Sequence, residues 1–341
     1  MFLFFVFSLA ALAARAHPRT LVTFGDSYTD QSRFAYFLIN DSFPPAHYQE
    51  LYPPLGYAAN GGSSWVRYAE LCGNLTAFNY AVAGASCSNL LTPRPHEGPP
   101  AYPEANFPSV LEYEIPAYAG DWVQNRTGRT TLDEEAVYVL WIGTNDVGAG
   151  GLLTGNQTQG TTIVNVTECG VEWMRQLYAY GARRFILMNM IPLWLTPLYS
   201  LIPVPPDRYW PYAHDSSRTS YSLQIQELVS AGNALWDLQV PAALRELEGA
   251  RGAVFSAFDL FWDIYHDPSR YLNGTAPLNI TGYDAHSTLA GGALTTTTSP
   301  SPDSFMWYDS LHPSEQCGRV LAREVVSAIE GQSKYATYYN W

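Results

Sequence analysis

Short apolar runs alternate along this chain with longer stretches in which apolar residues recur at helical spacing. The runs Thr20 to Phe24, Phe78 to Val82, Val137 to Ile142, Phe185 to Asn189 and Ala253 to Ala257 are nearly continuous in apolar content. That is the pattern of strands covered on both faces, as in a parallel sheet. Between and after them, Ser32 to Ile39, Ser64 to Leu71, Val166 to Tyr180, Ser217 to Leu238 and Ser314 to Ile329 read as helices. In the last, Val320, Leu321, Val325 and Ala328 make one apolar face. The alternation predicts an α/β fold with a mostly parallel sheet. No internal repeat or long linker divides the chain, so one domain is expected over 17–341.

The first sixteen residues, MFLFFVFSLAALAARA, are apolar and end in the small-x-small sequence Ala14-Arg15-Ala16. They read as a signal peptide, too short for a span of ~20 residues. Export fits seven Asn-x-Ser/Thr sequons, at Asn40, Asn74, Asn125, Asn156, Asn165, Asn273 and Asn279. Four cysteines, Cys72, Cys87, Cys169 and Cys317, share no C-x-x-C spacing and favour disulfides over metal or redox chemistry. Three pairings are open, with the short Cys72–Cys87 loop preferred and buried free thiols as the alternative. Leu294 to Pro302 (LTTTTSPSP) and the Pro-rich Thr92 to Pro108 read as loops.

With 18 Lys+Arg against 31 Asp+Glu, the chain has a net charge of -13 and few cations from which to build a basic face. Nucleic acid is therefore not an expected partner. The 47% hydrophobic content excludes disorder for most of the chain.

Chemistry enters at Gly25-Asp26-Ser27-Tyr28, where the first strand ends and a helix is about to begin. The turn would lift Ser27 above the carboxyl edge of the sheet, although the same residues also make an ordinary strand-to-helix turn. A serine hydroxyl needs a base, and Asp309-Ser310-Leu311-His312-Pro313 offers one. Pro313 should hold His312 in the loop before the last helix, with Asp309 folded back on one ring nitrogen and the other left for Ser27. Gly84, in Asn79 to Ser86, and Asn145, in Gly143-Thr144-Asn145-Asp146, close the second and third strands. With the Ser27 N–H they would give a three-donor oxyanion hole. No cofactor or metal is expected, because His47, His96, His214, His266 and His286 show no paired-ligand spacing. An N-terminal His17 after cleavage resembles copper-holding secreted oxidases, but those are built on antiparallel sandwiches.

As an ordered set these blocks resemble the GDSL, or SGNH, hydrolase family, with Tyr28 where the family usually has Leu. The resemblance implies a flavodoxin-like three-layer α/β/α sandwich with a five-stranded parallel sheet. It also implies the catalytic set Ser27, Asp309 and His312, with Ser27, Gly84 and Asn145 as oxyanion donors. The segments PSVLEYEIPAY (108–118), NYAVAGASCSN (79–89), LMNMIPLWLTPLY (187–199), HPSEQ (312–316) and SKYATYYNW (333–341) are similar to fungal secreted acetylesterases of carbohydrate esterase family sixteen. That likeness implies acetylated hemicellulose oligosaccharides, or other small acetyl esters, as substrate. A GDSL lipase acting on longer-chain or phospholipid esters is the alternative within the fold, and an inactive sugar-binding protein is the alternative outside catalysis. Trp65, Trp141, Trp194, Trp210 and Trp307 read first as packing and second as sugar platforms. The aromatic tail, Tyr335 to Trp341, reads as a packed latch. Oligomeric state is not legible.

Overall fold

The computed structural model describes residues 20–40, 44, 58–95, 106–122, 136–203, 209–210, 217–290 and 293–341. The expected signal peptide and the sequon at Asn125 lie outside them. Five parallel strands form the centre: β1 (Thr20–Gly25), β2 (Thr76–Asn79), β3 (Val137–Trp141), β4 (Arg184–Met188) and β5 (Arg251–Phe255). Every residue of β3 and β4 is buried, which is why both are apolar on both faces apart from Arg184 at the start of β4. Val22 sits in register with Phe78 on one side and Tyr138 on the other, and Ile186 lies between Val139 and Ala253.

Eight helices accompany the sheet among the described residues: α1 (Arg33–Asn40), α2 (Trp65–Gly73), α3 (Ile115–Trp122), α4 (Thr144–Val147), α5 (Ile163–Ala179), α6 (Arg218–Glu246), α7 (Ala257–His266) and α8 (Glu315–Ile329). Strand order in the parallel part is β2-β1-β3-β4-β5, so the direction of travel reverses at β1. Right-handed crossovers then put α2 on one face and α3, α5 and α6 on the other. The packing agrees, with α2 against α8 and α5 against α6 and α3. A switch point of this kind opens a crevice at the carboxyl ends of β1 and β3.

The expected α/β architecture is present, with differences that have local causes. The sheet has a sixth strand, β10 (Ala336–Tyr339), antiparallel to β5 with Thr337 opposite Val254. It is the aromatic tail, a latch made by backbone pairing as well as by rings, and it covers the open edge of β5. β2 ends at Asn79, earlier than Val82. Tyr80 and Val82 still donate to the Thr23 and Gly25 carbonyls, but Val82 N–H is shared with the Glu114 carboxylate as the chain turns away from the ladder. Helix α6 runs eight residues past Leu238 and through Pro241. One missing hydrogen bond is tolerated there because Val240, Ala243 and Leu244 are buried and keep the segment docked.

Outside the main sheet, β6 (Asn279–Tyr283) pairs with β9 (Phe305–Trp307), and β7 (His286–Ala290) pairs with β8 (Ala293–Thr297) as a hairpin. Leu294 to Thr297 is therefore a strand, where a loop was expected. β-branched residues favour the extended chain, and Thr296 meets Ser287 through a 2.8 Å hydroxyl pair. The disulfide is Cys87–Cys169, which corrects the Cys72–Cys87 preference. Cys72 faces outward near the end of α2, whereas Cys87 leaves the glycine loop toward α5, so proximity in sequence was the wrong guide. Cys72 and Cys317 are free thiols, Cys317 being buried with its Sγ on the Met306 carbonyl.

Trp65, Trp141, Trp210 and Trp307 are buried in the core and Trp194 packs half-buried against it, so packing accounts for them. Of the described sequons, Asn40, Asn74, Asn156, Asn165 and Asn273 are exposed and Asn279 is half-buried.

Candidate active site

Gly25 ends β1 with φ +145°, and a Cβ there would fall 2.2 Å from the Trp141 carbonyl oxygen. Glycine is therefore required at this last position of β1, opposite Trp141 of β3. The chain then turns through Asp26 and Ser27, and Asp30 closes the turn. Its carboxylate accepts from the N–H groups of Arg33 (2.8 Å) and Phe34 (3.1 Å) at the start of α1, and from Ala83 N–H (2.8 Å) in the glycine loop. One side chain thus starts a helix and tethers two of the sequence blocks to each other.

The base arrives from the other end of the chain. His312 Nε2 lies 2.8 Å from Ser27 Oγ, and its Nδ1 lies 2.9 and 3.1 Å from the two oxygens of Asp309. Asp309 Oδ1 also accepts the backbone N–H groups of Leu311 (2.9 Å) and His312 (2.7 Å), and Oδ2 accepts the Tyr209 hydroxyl (2.6 Å). Burial alone would raise the Asp309 pKa. The neighbouring His312 and these hydrogen bonds outweigh it and hold the carboxyl down at about 2. Asp309 is thus ionised across the ordinary working range, as a group that orients an imidazole must be.

His312 sits in the loop before α8, as its Pro neighbour suggested. Pro313 itself is outside the helix, which Ser314 caps through Cys317 N–H at 3.3 Å. The loop is braced by Leu198 N–H on Ser310 O and Tyr308 N–H on His312 O, both 2.8 Å. Tyr28 adds a tie of its own. Its hydroxyl donates to Leu311 O at 2.8 Å and its ring meets the His312 ring edge-on, so the nucleophile turn and the histidine loop are fastened together.

Gly84 follows β2 with φ +88°, a backbone state that favours glycine, and a Cβ there would fall 2.3 Å from the Phe107 ring. Asn145 stands on α4, directly after β3, with Nδ2 donating to Ala85 O at 2.7 Å and its second amide hydrogen left over. Neither the Ser27 nor the Gly84 N–H has an acceptor among the described residues. Ser27, His312 and Asp309 therefore form one hydrogen-bonded chain, while Gly84 and Asn145 stand just beyond β2 and β3, the two strands that flank β1. Beside Ser27 and His312 is a small pocket walled by Tyr28, Trp65, Trp141, Phe261 and Leu321. Among the described residues, no group of three or more His, Cys, Asp or Glu side chains could hold a metal ion.

Sequence reasoning missed the buried groups that hold these blocks in place. Glu114 accepts Gly25 N–H (2.9 Å) and Val82 N–H (3.2 Å), tying the end of β1 to that of β2, and burial pushes its pKa well up. Asp146 accepts Cys87 N–H at 3.0 Å and the Thr92 hydroxyl at 2.5 Å, and burial raises it to about 6. Asp26 is also buried. Burial raises its pKa to about 7, with Oδ1 accepting Tyr28 N–H and Oδ2 without a partner among the described residues. Glu114 and Asp146 lie inside quoted segments, but a carboxylate in a helix or turn has no local mark that separates it from a solvated one.

A hydrogen-bonded Ser–His–Asp chain beside unpaired N–H groups, at the switch point of a doubly wound sheet, has the geometry of a serine hydrolase site. The chain belongs to the GDSL-like lipase/acylhydrolase family, whose model matches residues 21–325, and it is a carboxylic ester hydrolase. It is 34% identical over 328 residues to an acetylesterase of Hypocrea jecorina, covering 94% of this chain and 91% of that one. It is 23% identical over 326 residues to an acetylesterase of Thermothelomyces thermophilus, with the same shares covered. Among solved structures, the acetylxylan esterase Axe2 of Geobacillus stearothermophilus aligns with a TM-score of 0.41 and 13% identity, over 91% of this chain and 94% of that one.

Proposed function

We propose that this chain is a secreted acetylesterase that releases acetate from acetylated carbohydrate, short hemicellulose-derived oligosaccharides in particular, through an acyl-enzyme on Ser27. The observation that carries the catalytic part is His312 Nε2 at 2.8 Å from Ser27 Oγ, with Nδ1 on an ionised Asp309. His312 takes the serine proton as Oγ attacks the ester carbonyl. The negative charge then moves onto the carbonyl oxygen, toward the N–H groups of Ser27 and Gly84 and the Asn145 amide. On collapse of the intermediate, His312 returns its proton to the departing sugar hydroxyl. Water repeats the sequence, and acetate leaves.

Likeness to two acetylesterases along nearly the whole chain supports acetyl as the acyl group. Export is supported by the apolar leader at 1–16 and the sequons. Among the described residues no helix is long and apolar enough to cross a membrane.

Hydrolysis of p-nitrophenyl esters from acetate to octanoate, by the wild type and by Ser27→Ala, tests the proposal. Acetate should turn over fastest, and the substitution should lower kcat by about 10³-fold or more. Preference for the long esters would move the chain to the lipase alternative. Activity surviving in Ser27→Ala would remove the serine mechanism.

A further inference from the structure

Arg94 is a half-buried cation beside the oxyanion donors that no step above uses. Burial lowers its pKa, with Asp146 and Asp26 as the carboxylates whose charges oppose that shift. Neither of them pairs with it directly. Its side-chain hydrogen bond among the described residues goes from Nη1 to Asn145 Oδ1. Desolvating a guanidinium is costly unless it is well paired, and an amide oxygen repays less of that cost than a carboxylate. The contact therefore calls for an explanation at Asn145.

We infer that Arg94 is a positioning residue of the oxyanion hole, one that fixes which way the Asn145 amide faces and strengthens its Nδ2–H as a donor. The inference rests on the reading of Asn145 as an oxyanion donor. The two ends of an asparagine amide are nearly equal in size, so shape alone does not orient it. Here Nδ2 donates to Ala85 O and Oδ1 receives the guanidinium, so a flipped amide would set oxygen against oxygen and N–H against N–H. In the observed orientation the second Nδ2 hydrogen stays available. A cation on Oδ1 draws electron density from the amide, and its field favours negative charge on the substrate oxygen.

The placement of Arg94 is over-determined. Its N–H donates to Asn89 Oδ1 at 3.3 Å, its carbonyl accepts Phe107 N–H at 2.9 Å, and Asn89 Nδ2 donates to Phe107 O at 2.8 Å. Pro95 and Asn106 continue the pairing as an antiparallel bridge. The guanidinium lies 5.7 Å from the centre of the Phe107 ring, and that ring fills the space beside Gly84. A single clasp, Arg94 with Phe107, thus abuts both donors that Ser27 does not supply.

The test is a double-mutant cycle on p-nitrophenyl acetate hydrolysis, with kcat and KM measured for Arg94→Gln, Arg94→Lys, Asn145→Ala and the Arg94→Gln/Asn145→Ala pair. Losing a donor in Asn145→Ala should lower kcat by ~10²–10³. Arg94→Gln should lower it by roughly 10- to 100-fold, a weakened donor being a smaller loss than a missing one, with KM within about twofold. Arg94→Lys should recover part of the loss, and it keeps the cation if Arg94→Gln does not fold. In the Asn145→Ala background, Arg94→Gln should cost less than about twofold further. An equal loss in both backgrounds would make Arg94 a structural clasp and overturn the inference. So would a silent Arg94→Gln beside a sensitive Asn145→Ala. A silent Asn145→Ala would remove the oxyanion reading and the inference with it.

Discussion

Asp26 should make the protein less stable as pH rises toward neutrality, and Asp26→Asn should remove that dependence. The carboxyl is buried, one oxygen accepts Tyr28 N–H at 3.0 Å, and the other has no partner among the described residues. Burial raises its pKa from 3.8 to about 7, against partial relief from the Tyr28 hydrogen bond and the His312 charge. A carboxyl whose pKa is raised on folding binds its proton more tightly in the folded state. Its contribution is therefore intact below about pH 4 and is lost as pH climbs from about 4 to about 7. A rise of some three units at 1.36 kcal/mol each gives a loss of about 4 kcal/mol over that window.

Asp309 has the opposite sign. Its pKa is depressed to about 2, so it stabilises the fold by about 2 kcal/mol above pH 4 and loses that contribution as pH falls from about 4 to about 2. Asp146, raised by burial to about 6, adds to the loss on the alkaline side. Maximum stability is expected near pH 4. In Asp26→Asn the amide oxygen can still accept from Tyr28, while the new NH₂ is buried without an acceptor at a pH-independent cost of ~1–3 kcal/mol. Urea unfolding of both proteins from about pH 4 to about pH 8 reads the difference. The wild type should lead at the acid end, and its advantage should shrink by about 4 kcal/mol by the alkaline end. Stability curves that stay parallel across the range would show that Asp26 does not titrate there and would refute the argument.

Two further outcomes follow from the geometry. Gly84→Ala puts a Cβ into the Phe107 ring at a positive φ, so it should displace the Gly84 N–H and lower kcat for acetate esters by ~10²-fold, far more than it raises KM. Replacing Cys87 and Cys169 together by Ser opens a bridge across 82 residues of sequence and should cost about 2–5 kcal/mol in urea unfolding, with kcat lowered because Cys87 adjoins the glycine loop.

Much of the fold and the core of the site could be read from sequence because each rested on a local signal. The strands were legible because two-face burial forces a continuous apolar run, as in β3 and β4. Ser27 and His312 were legible because Gly25 and Pro313 leave their own marks on the backbone, and those marks put both residues at ends of elements where a sheet gathers them. What stayed hidden depends on partners far along the chain. Glu114 is 89 residues from the Gly25 N–H it accepts, and the Tyr209 hydroxyl is 100 residues from the Asp309 carboxylate. Cys87 found Cys169 across α5, where loop length had pointed to Cys72. Tyr28 shows the boundary between the two cases. The turn it occupies could be read in sequence, but the purpose of an aromatic hydroxyl there needed the carbonyl of Leu311, which arrives 283 residues later. A motif names the groups proposed to react, whereas the buried carboxylates that tie their segments together are set by the fold. Substitutions at those supporting positions should therefore change rate through geometry, without touching substrate.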